Sequence, residues 1–264
     1  MDYGEGCNTQ AIQWRVQGNT YHACSRTVPR LPQGAYSCIL DGYGTPQFQA
    51  RDLKTDDLID FSDSLPSRIL GEIDRFWQLG LRFRKHGFLH RRGYLFYGKQ
   101  GCGKSSLIHQ VVSRIIAQGN LAFFCDNPYQ FIVCMEQFRI VERERPIVCI
   151  FEDVDAIIDR YGDSELLQWL DGNTQIDKAI NLASTNYPEK LDRRIIARPR
   201  RFDRVLKIET PDARLRSAYF EQKLPEQSSE ERSLWVKLSD GMTFASLAEL
   251  IISVYCLGNE LEQA

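Results

Sequence analysis

The chain has 264 residues, 43 % of them hydrophobic and 26 % charged, enough to bury a substantial core in one large domain or two modest ones. With 33 basic and 35 acidic side chains the formal net charge is only -2, so global charge makes no case for nucleic acid or an anionic membrane as partner. The cysteines include no Cys-x-x-Cys pair, the start has no secretory apolar region, and no apolar run approaches bilayer length, which reads as reduced thiols in a cytoplasmic protein without membrane insertion.

Short alternating runs at Gln13–Val16, Tyr21–Cys24, Tyr36–Leu40 and Gln47–Ala50, set among Gly and Pro, predict a small β-rich extension over 1–59. Such an extension recognises a partner or covers a face of the main domain. Ser64-Leu65-Pro66 then starts a helix whose Ile69, Ile73, Phe76 and Trp77 form one apolar face, weakened at Gly80. A basic segment, Phe83–Arg92, follows. Its His86 and His90 lack the intervening Glu of a helical zinc-protease motif and read as solvated side chains near a turn.

Tyr94–Tyr97 is an apolar strand, and Gly98-Lys99-Gln100-Gly101-Cys102-Gly103-Lys104-Ser105 follows it directly. After Ser105, Leu107, Ile108, Val111, Val112, Ile115 and Ile116 recur with helical period up to Gly119-Asn120. Strand, glycine-rich turn and helix are the setting a phosphate-binding loop requires. Backbone N–H groups at Gly98, Gly101, Cys102, Gly103, Lys104, Ser105 and Ser106 are placed to cradle phosphate oxygens. Lys104 would reach the β/γ oxygens, and the Ser105 hydroxyl would ligate Mg²⁺. Cys102 lies inside the loop, where alkylation or oxidation would block binding.

Leu121–Cys125 reads as a buried strand, and Pro128 opens a helix through Phe131, Met135 and Phe138 that ends before Pro146. Tyr129 and Phe131 stand where aromatic side chains face a central pore or pack beneath the helix, the latter being the preferred role for Phe131. Ile147–Phe151 is almost uninterruptedly apolar, as a central parallel strand covered on both faces must be. Glu152-Asp153-Val154-Asp155 follows at the strand end where open α/β sheets bind ligands. Glu152 takes the magnesium side, Asp153 orients or deprotonates the attacking water, and Asp155 fixes the following loop. Ser164–Leu170 is helical, Ala179–Thr185 is the next strand, and Asn186 at its end is placed to hold the γ-phosphate or the water from the far side.

The run from Lys190 to Arg204 is strongly basic, Val205–Ile208 is a further strand, and Ala213–Leu224, Glu230–Leu238 and Ala245–Leu257 show helical patterns punctuated by Pro225, Gly241 and Gly258. The expected organisation is a β-rich extension (1–59), an α/β nucleotide-binding domain (60–210) and a small helical lid (211–264).

Together the loop, Glu152, Asp153, Asn186 and the run Arg198-Pro199-Arg200-Arg201-Phe202-Asp203-Arg204 resemble the AAA+ ATPases. Ala183-Ser184-Thr185-Asn186-Tyr187-Pro188-Glu189-Lys190-Leu191-Asp192 carries much of that resemblance. It covers about 60–264 and implies a P-loop NTPase fold with a central parallel sheet and a helical lid. The Glu-Asp order and Leu166–Gly172 are similar to the branch of the mitochondrial translocase that assembles the Rieske protein, and the compact form looks like bacterial or phage members. The resemblance further implies ATP and Mg²⁺ as ligands, catalytic roles for Glu152, Asp153 and Asn186, and Arg198 or Arg201 as an arginine finger reaching a neighbouring subunit in a homo-oligomer, a hexamer by family habit. Arg200 replaces the usual Gly of the finger element, and no aromatic-apolar-Gly pore motif follows Cys125. The function implied is ATP-driven remodelling or assembly of a protein complex. A DNA-associated motor or loader and a nucleotide-gated scaffold with little turnover are the rival readings.

Overall fold

The computed structural model describes residues 13–24, 27–53, 65–171, 177–192, 195 and 201–261. It divides into two compact units, 1–32 and 33–264. In the first, β1 (Gln13–Gln17) and β2 (Thr20–Cys24) pair antiparallel across a tight turn at Gly18, whose φ of 59° suits a residue without Cβ.

The second unit is built on a seven-stranded sheet of order β4-β3-β6-β7-β8-β5-β9. Its strands are β3 (Gly34–Leu40), β4 (Pro46–Arg51), β5 (Arg91–Tyr97), β6 (Leu121–Phe124), β7 (Ile147–Phe151), β8 (Ala179–Thr185) and β9 (Arg204–Lys207). All neighbouring pairs are parallel except β3 with β4. The central strands β7 and β8 are buried along their whole length, which is why their sequences run apolar without alternation.

The expected division at residue 59 is not where the structure divides. β3 lies parallel to β6, with Gly34 opposite Leu121 and Ser37 opposite Phe124, so residues 34–51 extend the main sheet. The alternation of β3 and β4 marks them as strands, but it says nothing about a partner more than eighty residues away. That pairing is a tertiary choice.

Helices cover both faces. On one, α1 (Leu65–Gln78) sets Ile69, Leu70, Ile73 and Phe76 against Leu107, Ile108, Val111, Val112 and Ile115 of α3 (Lys104–Ala117), in one core with Tyr94, Phe96, Phe124, Val148, Ile150, Ile180 and Leu182 from the sheet. Between them lies the short α2 (Gly80–Lys85). Alternate strand residues point to the opposite face. There Phe123 meets Phe138 of α4 (Pro128–Val141) at 5.0 Å between ring centroids, and Phe131 meets Phe151 at 5.4 Å and Trp169 at 4.8 Å. Trp169 belongs to α6 (Ser164–Asp171), which follows α5 (Val154–Tyr161). Phe131 is thus core, as preferred, while Tyr129 is exposed.

His90 departs from its reading as a solvated side chain. It is buried, stacks on Phe76 at 4.0 Å, and its Nε2 lies 2.7 Å from the Phe76 carbonyl oxygen. An imidazole can satisfy one polar nitrogen on a backbone carbonyl and offer its ring to aromatic packing, which composition near a turn does not reveal.

The C-terminal part holds α7 (Ala213–Lys223), α8 (Ser229–Leu238) and α9 (Phe244–Ile251) around Tyr219, Phe220, Trp235, Leu247 and Leu250. Asp212, Ser228 and Thr243 cap their N-termini, Ser228 in a full capping box with Glu231. The helix expected over Ala245–Leu257 is α only to Ile251 and continues as a wider turn over Ile252–Cys256.

Gly93 shows how closely the chain closes on itself beside β9. Its N–H donates to Asp203 Oδ2 and its carbonyl accepts from the Asp203 N–H, both at 2.9 Å. A Cβ there would lie 2.1 Å from the Arg201 carbonyl oxygen, which is backbone and cannot step aside. Gly93→Ala is therefore expected to lower the stability of the domain by about 1–3 kcal/mol, the usual cost of overpacking, read as a lower midpoint in urea unfolding with an unchanged slope.

Candidate functional site

The glycine-rich loop spans the end of β5 and the start of α3, so the first turn of α3 presents unpaired backbone N–H groups toward it. Two of its glycines are required by contact. A Cβ on Gly98 would lie 2.2 Å from the Ile208 carbonyl oxygen. At Gly101, φ is 79°, and a Cβ would meet Ala245 Cβ at 2.8 Å and Thr243 Oγ1 at 2.9 Å. The Ala245 N–H also donates to the Gly101 carbonyl at 3.3 Å, so the start of α9 closes over the loop.

Lys104 is buried, and its ammonium donates to the carbonyl oxygens of Gly98 and Lys99, each at 2.9 Å. Burial pushes its pKa down, against the pull of Cys102, Asp153 and Asp155. Cys102 is itself buried, which pushes its thiol pKa up, opposed by Lys104 and Lys99. The reactive-thiol liability read from its position is therefore muted by lack of access and of thiolate.

Across from the loop, Glu152 and Asp153 leave the end of β7 and Asn186 leaves the end of β8. Asp153 caps α5 in the left-handed region with φ 48°, its N–H donating to Ser184 Oγ at 3.1 Å. Asn186 Nδ2 donates to Asp153 Oδ1 at 3.1 Å. Asp155, expected to fix the following loop, bonds instead to a distant strand end: its Oδ1 accepts from Thr185 Oγ1 at 2.6 Å and from the Asn186 N–H at 3.3 Å, tying α5 to the end of β8. Burial, then the charges of Asp155 and Glu152, push the Asp153 carboxyl up; Lys104 and the Asn186 amide pull the other way.

Glu152 is half-buried. Burial raises its carboxyl, but the His109 imidazole, the Ser105 hydroxyl and the charge of Arg51 together hold it below the ordinary glutamate value. Its Oε1 is buried without a hydrogen-bond partner among the described residues. A carboxylate with one orphaned oxygen, within reach of the Ser105 hydroxyl at the start of α3, fits a hard divalent cation such as Mg²⁺.

His109 and Arg51 were not found from the sequence. His109 follows Ser105 by one helical turn, so a spacing signal did exist. Arg51 carried none: only the tertiary placement of β4 sets its guanidinium 4.1 Å over the Phe124 ring and 3.1 Å from Asp126 Oδ1.

Comparison with known proteins agrees with this geometry. Residues 94–210 match the family described as ATPase family associated with various cellular activities (AAA). The match covers somewhat less than half of the chain and shows similarity to that family over this segment. It is 28 % identical over 208 residues to an ATP-dependent zinc metalloprotease FtsH 1 of Sorangium cellulosum, covering 69 % of this chain and 33 % of the relative. To a proteasome-activating nucleotidase of Saccharolobus islandicus it is 28 % identical over 191 residues, covering 64 % and 48 %. It thus spans a third to a half of the length of these curated relatives.

The two arginines expected as finger candidates fare differently. Arg198 lies outside the described residues. Arg201, expected to reach a neighbouring nucleotide, is instead buried, its Nε donating to Asp171 Oδ1 at 2.6 Å and its Nη2 bonded to Oδ2 of the same carboxylate. A fork-to-fork pair at the end of α6 occupies the guanidinium within its own chain. Among the described helices none is long and apolar enough to cross a membrane.

Arg201→Ala therefore removes a buried, paired guanidinium and opens a buried volume, which is expected to lower the melting temperature of the isolated chain by several degrees, about 2–4 °C per kcal/mol lost for a protein this size. A residue acting only across a subunit boundary would leave that temperature unchanged in differential scanning calorimetry.

Proposed function

We propose that this chain is a Mg²⁺-dependent ATPase that works as a subunit of a homo-oligomeric ring and remodels or assembles a protein complex. The observation that carries the reading is the Asp153–Asn186 hydrogen bond, made beside the half-buried Glu152 and within electrostatic reach of Lys104.

The loop N–H groups and the α3 N-terminus hold the β- and γ-phosphates. On nucleotide entry Lys104 exchanges the carbonyls of Gly98 and Lys99 for phosphate oxygens, an exchange favoured because its buried charge has only neutral acceptors in the loop. Ser105 and Glu152 are the residues that would hold Mg²⁺, which would supply positive charge to offset the negative charge on the phosphate oxygens. Asp153, turned by Asn186 and Ser184, accepts a proton at its carboxylate from the water that attacks the γ-phosphorus in line. The bond from that phosphorus to the β–γ bridging oxygen breaks, and the electron pair leaves with ADP. The raised pKa of Asp153 makes it a stronger base than an exposed aspartate.

Contact between the start of α9 and Gly101 supports a coupling from nucleotide to lid, since phosphates entering the loop alter the backbone on which Ala245 rests. Arg198 is the candidate that completes the site of a neighbouring subunit. Lys104→Ala is expected to abolish nucleotide binding. Asp153→Asn is expected to keep binding while phosphate release falls at least about 100-fold, the scale of losing a positioned base. Phosphate release with Mg²⁺ reads both, and chelation by EDTA should stop turnover in the unmodified protein. Binding without turnover in the unmodified chain would favour the nucleotide-gated scaffold instead. Arg198→Ala should lower phosphate release only under conditions where light scattering finds oligomers.

A further inference from the structure

His109 Nε2 lies 3.6 Å from Glu152 Oε2, with both side chains 22 % exposed. That nitrogen is buried and makes no hydrogen bond among the described residues, so Glu152 is the polar group it faces. The imidazole is braced edge-on against Phe124, ring centroids 6.2 Å apart at 69°. Arg51 lies over the same Phe124 ring at 4.1 Å and is itself tied to Asp126, so β4 and β6 hold the brace in place. The two oxygens of Glu152 are thereby distinguished: Oε2 faces His109 and Oε1 is orphaned.

We propose that His109 is a positioning residue for the metal-side acid, holding Oε2 of Glu152 so that Oε1 is presented to the divalent cation beside Ser105. This rests on the reading of Glu152 as a metal ligand. The physical need follows from side-chain length. A glutamate has one more rotatable bond than the aspartate more usual at this position, so its carboxylate is less well placed by the strand end alone. A partner one turn along the helix that carries Ser105 restores a fixed distance between the two metal-side groups. Either imidazole form that carries a proton on Nε2 makes the contact, so the role requires no titration of His109.

The test uses the full chain and ADP, with melting temperature as readout. ADP binding is titrated without metal, and Mg²⁺ is then titrated at saturating ADP to obtain the metal midpoint. His109→Leu keeps the packing against Phe124 and removes the donor. It is expected to raise the Mg²⁺ midpoint about 10-fold, the low end for losing a partner of a metal ligand, with metal-free ADP binding unchanged. His109→Gln, which retains a donor, should return the midpoint to within about 2-fold of the unmodified protein. In an E152Q background His109→Leu should add no further shift, since its effect passes through that carboxylate. The proposal is overturned if E152Q moves the midpoint and His109→Leu does not, if the two effects add, or if metal-free ADP binding weakens by the same factor. If E152Q itself leaves the Mg²⁺ midpoint unmoved, the reading of Glu152 as a ligand fails and the proposal fails with it.

Discussion

Much of this structure is organised by the cost of holding one ammonium and three carboxylates together at the edge of a sheet. Lys104, Glu152, Asp153 and Asp155 sit where the strands end, and two of the four, Lys104 and Asp155, are buried. Charges in such a place need fixed partners. Lys104 takes two loop carbonyls, Asp155 takes a hydroxyl and a backbone N–H, Asp153 takes an amide, and Glu152 faces an imidazole. Lys104 finds its partners within its own loop, but the three carboxylates take theirs from the end of β8 or from α3, so the sheet has to be assembled before those charges are compensated.

The same constraint explains the close packing around the loop. Gly98 lies against the backbone at Ile208 and Gly101 against the start of α9. The loop is therefore a cradle enclosed by later parts of the chain, and its conformation is open to influence from the C-terminal helices. Residues 34–51 serve a related purpose at the other side of the site. By extending the sheet past β6 they bring Arg51 over Phe124, and its charge helps hold the Glu152 carboxyl below its ordinary pKa.

Local pattern was a good guide wherever one segment acts alone. The loop, the uninterrupted apolar β7 and β8, the acids after β7 and the Asn after β8 could each be read in place, because each depends on spacing within a few residues. Where two distant segments meet, the reading failed or fell silent. β3 and β4 were visible as strands but not as members of the main sheet. Arg201, a candidate to reach a neighbouring subunit's nucleotide, is clasped by Asp171 of its own chain. His90 looked solvated and is buried on Phe76.

By itself, then, the sequence determined the nucleotide-type architecture and the order of chemical groups along it, since hydrophobic period and glycine spacing act over one turn or one strand. Only the tertiary structure decided how those groups are partnered. The placement of Arg51, the face His109 turns to Glu152, and the burial of Arg201 all follow from which strands pair and which helices pack, a choice made by contacts between residues far apart in the chain.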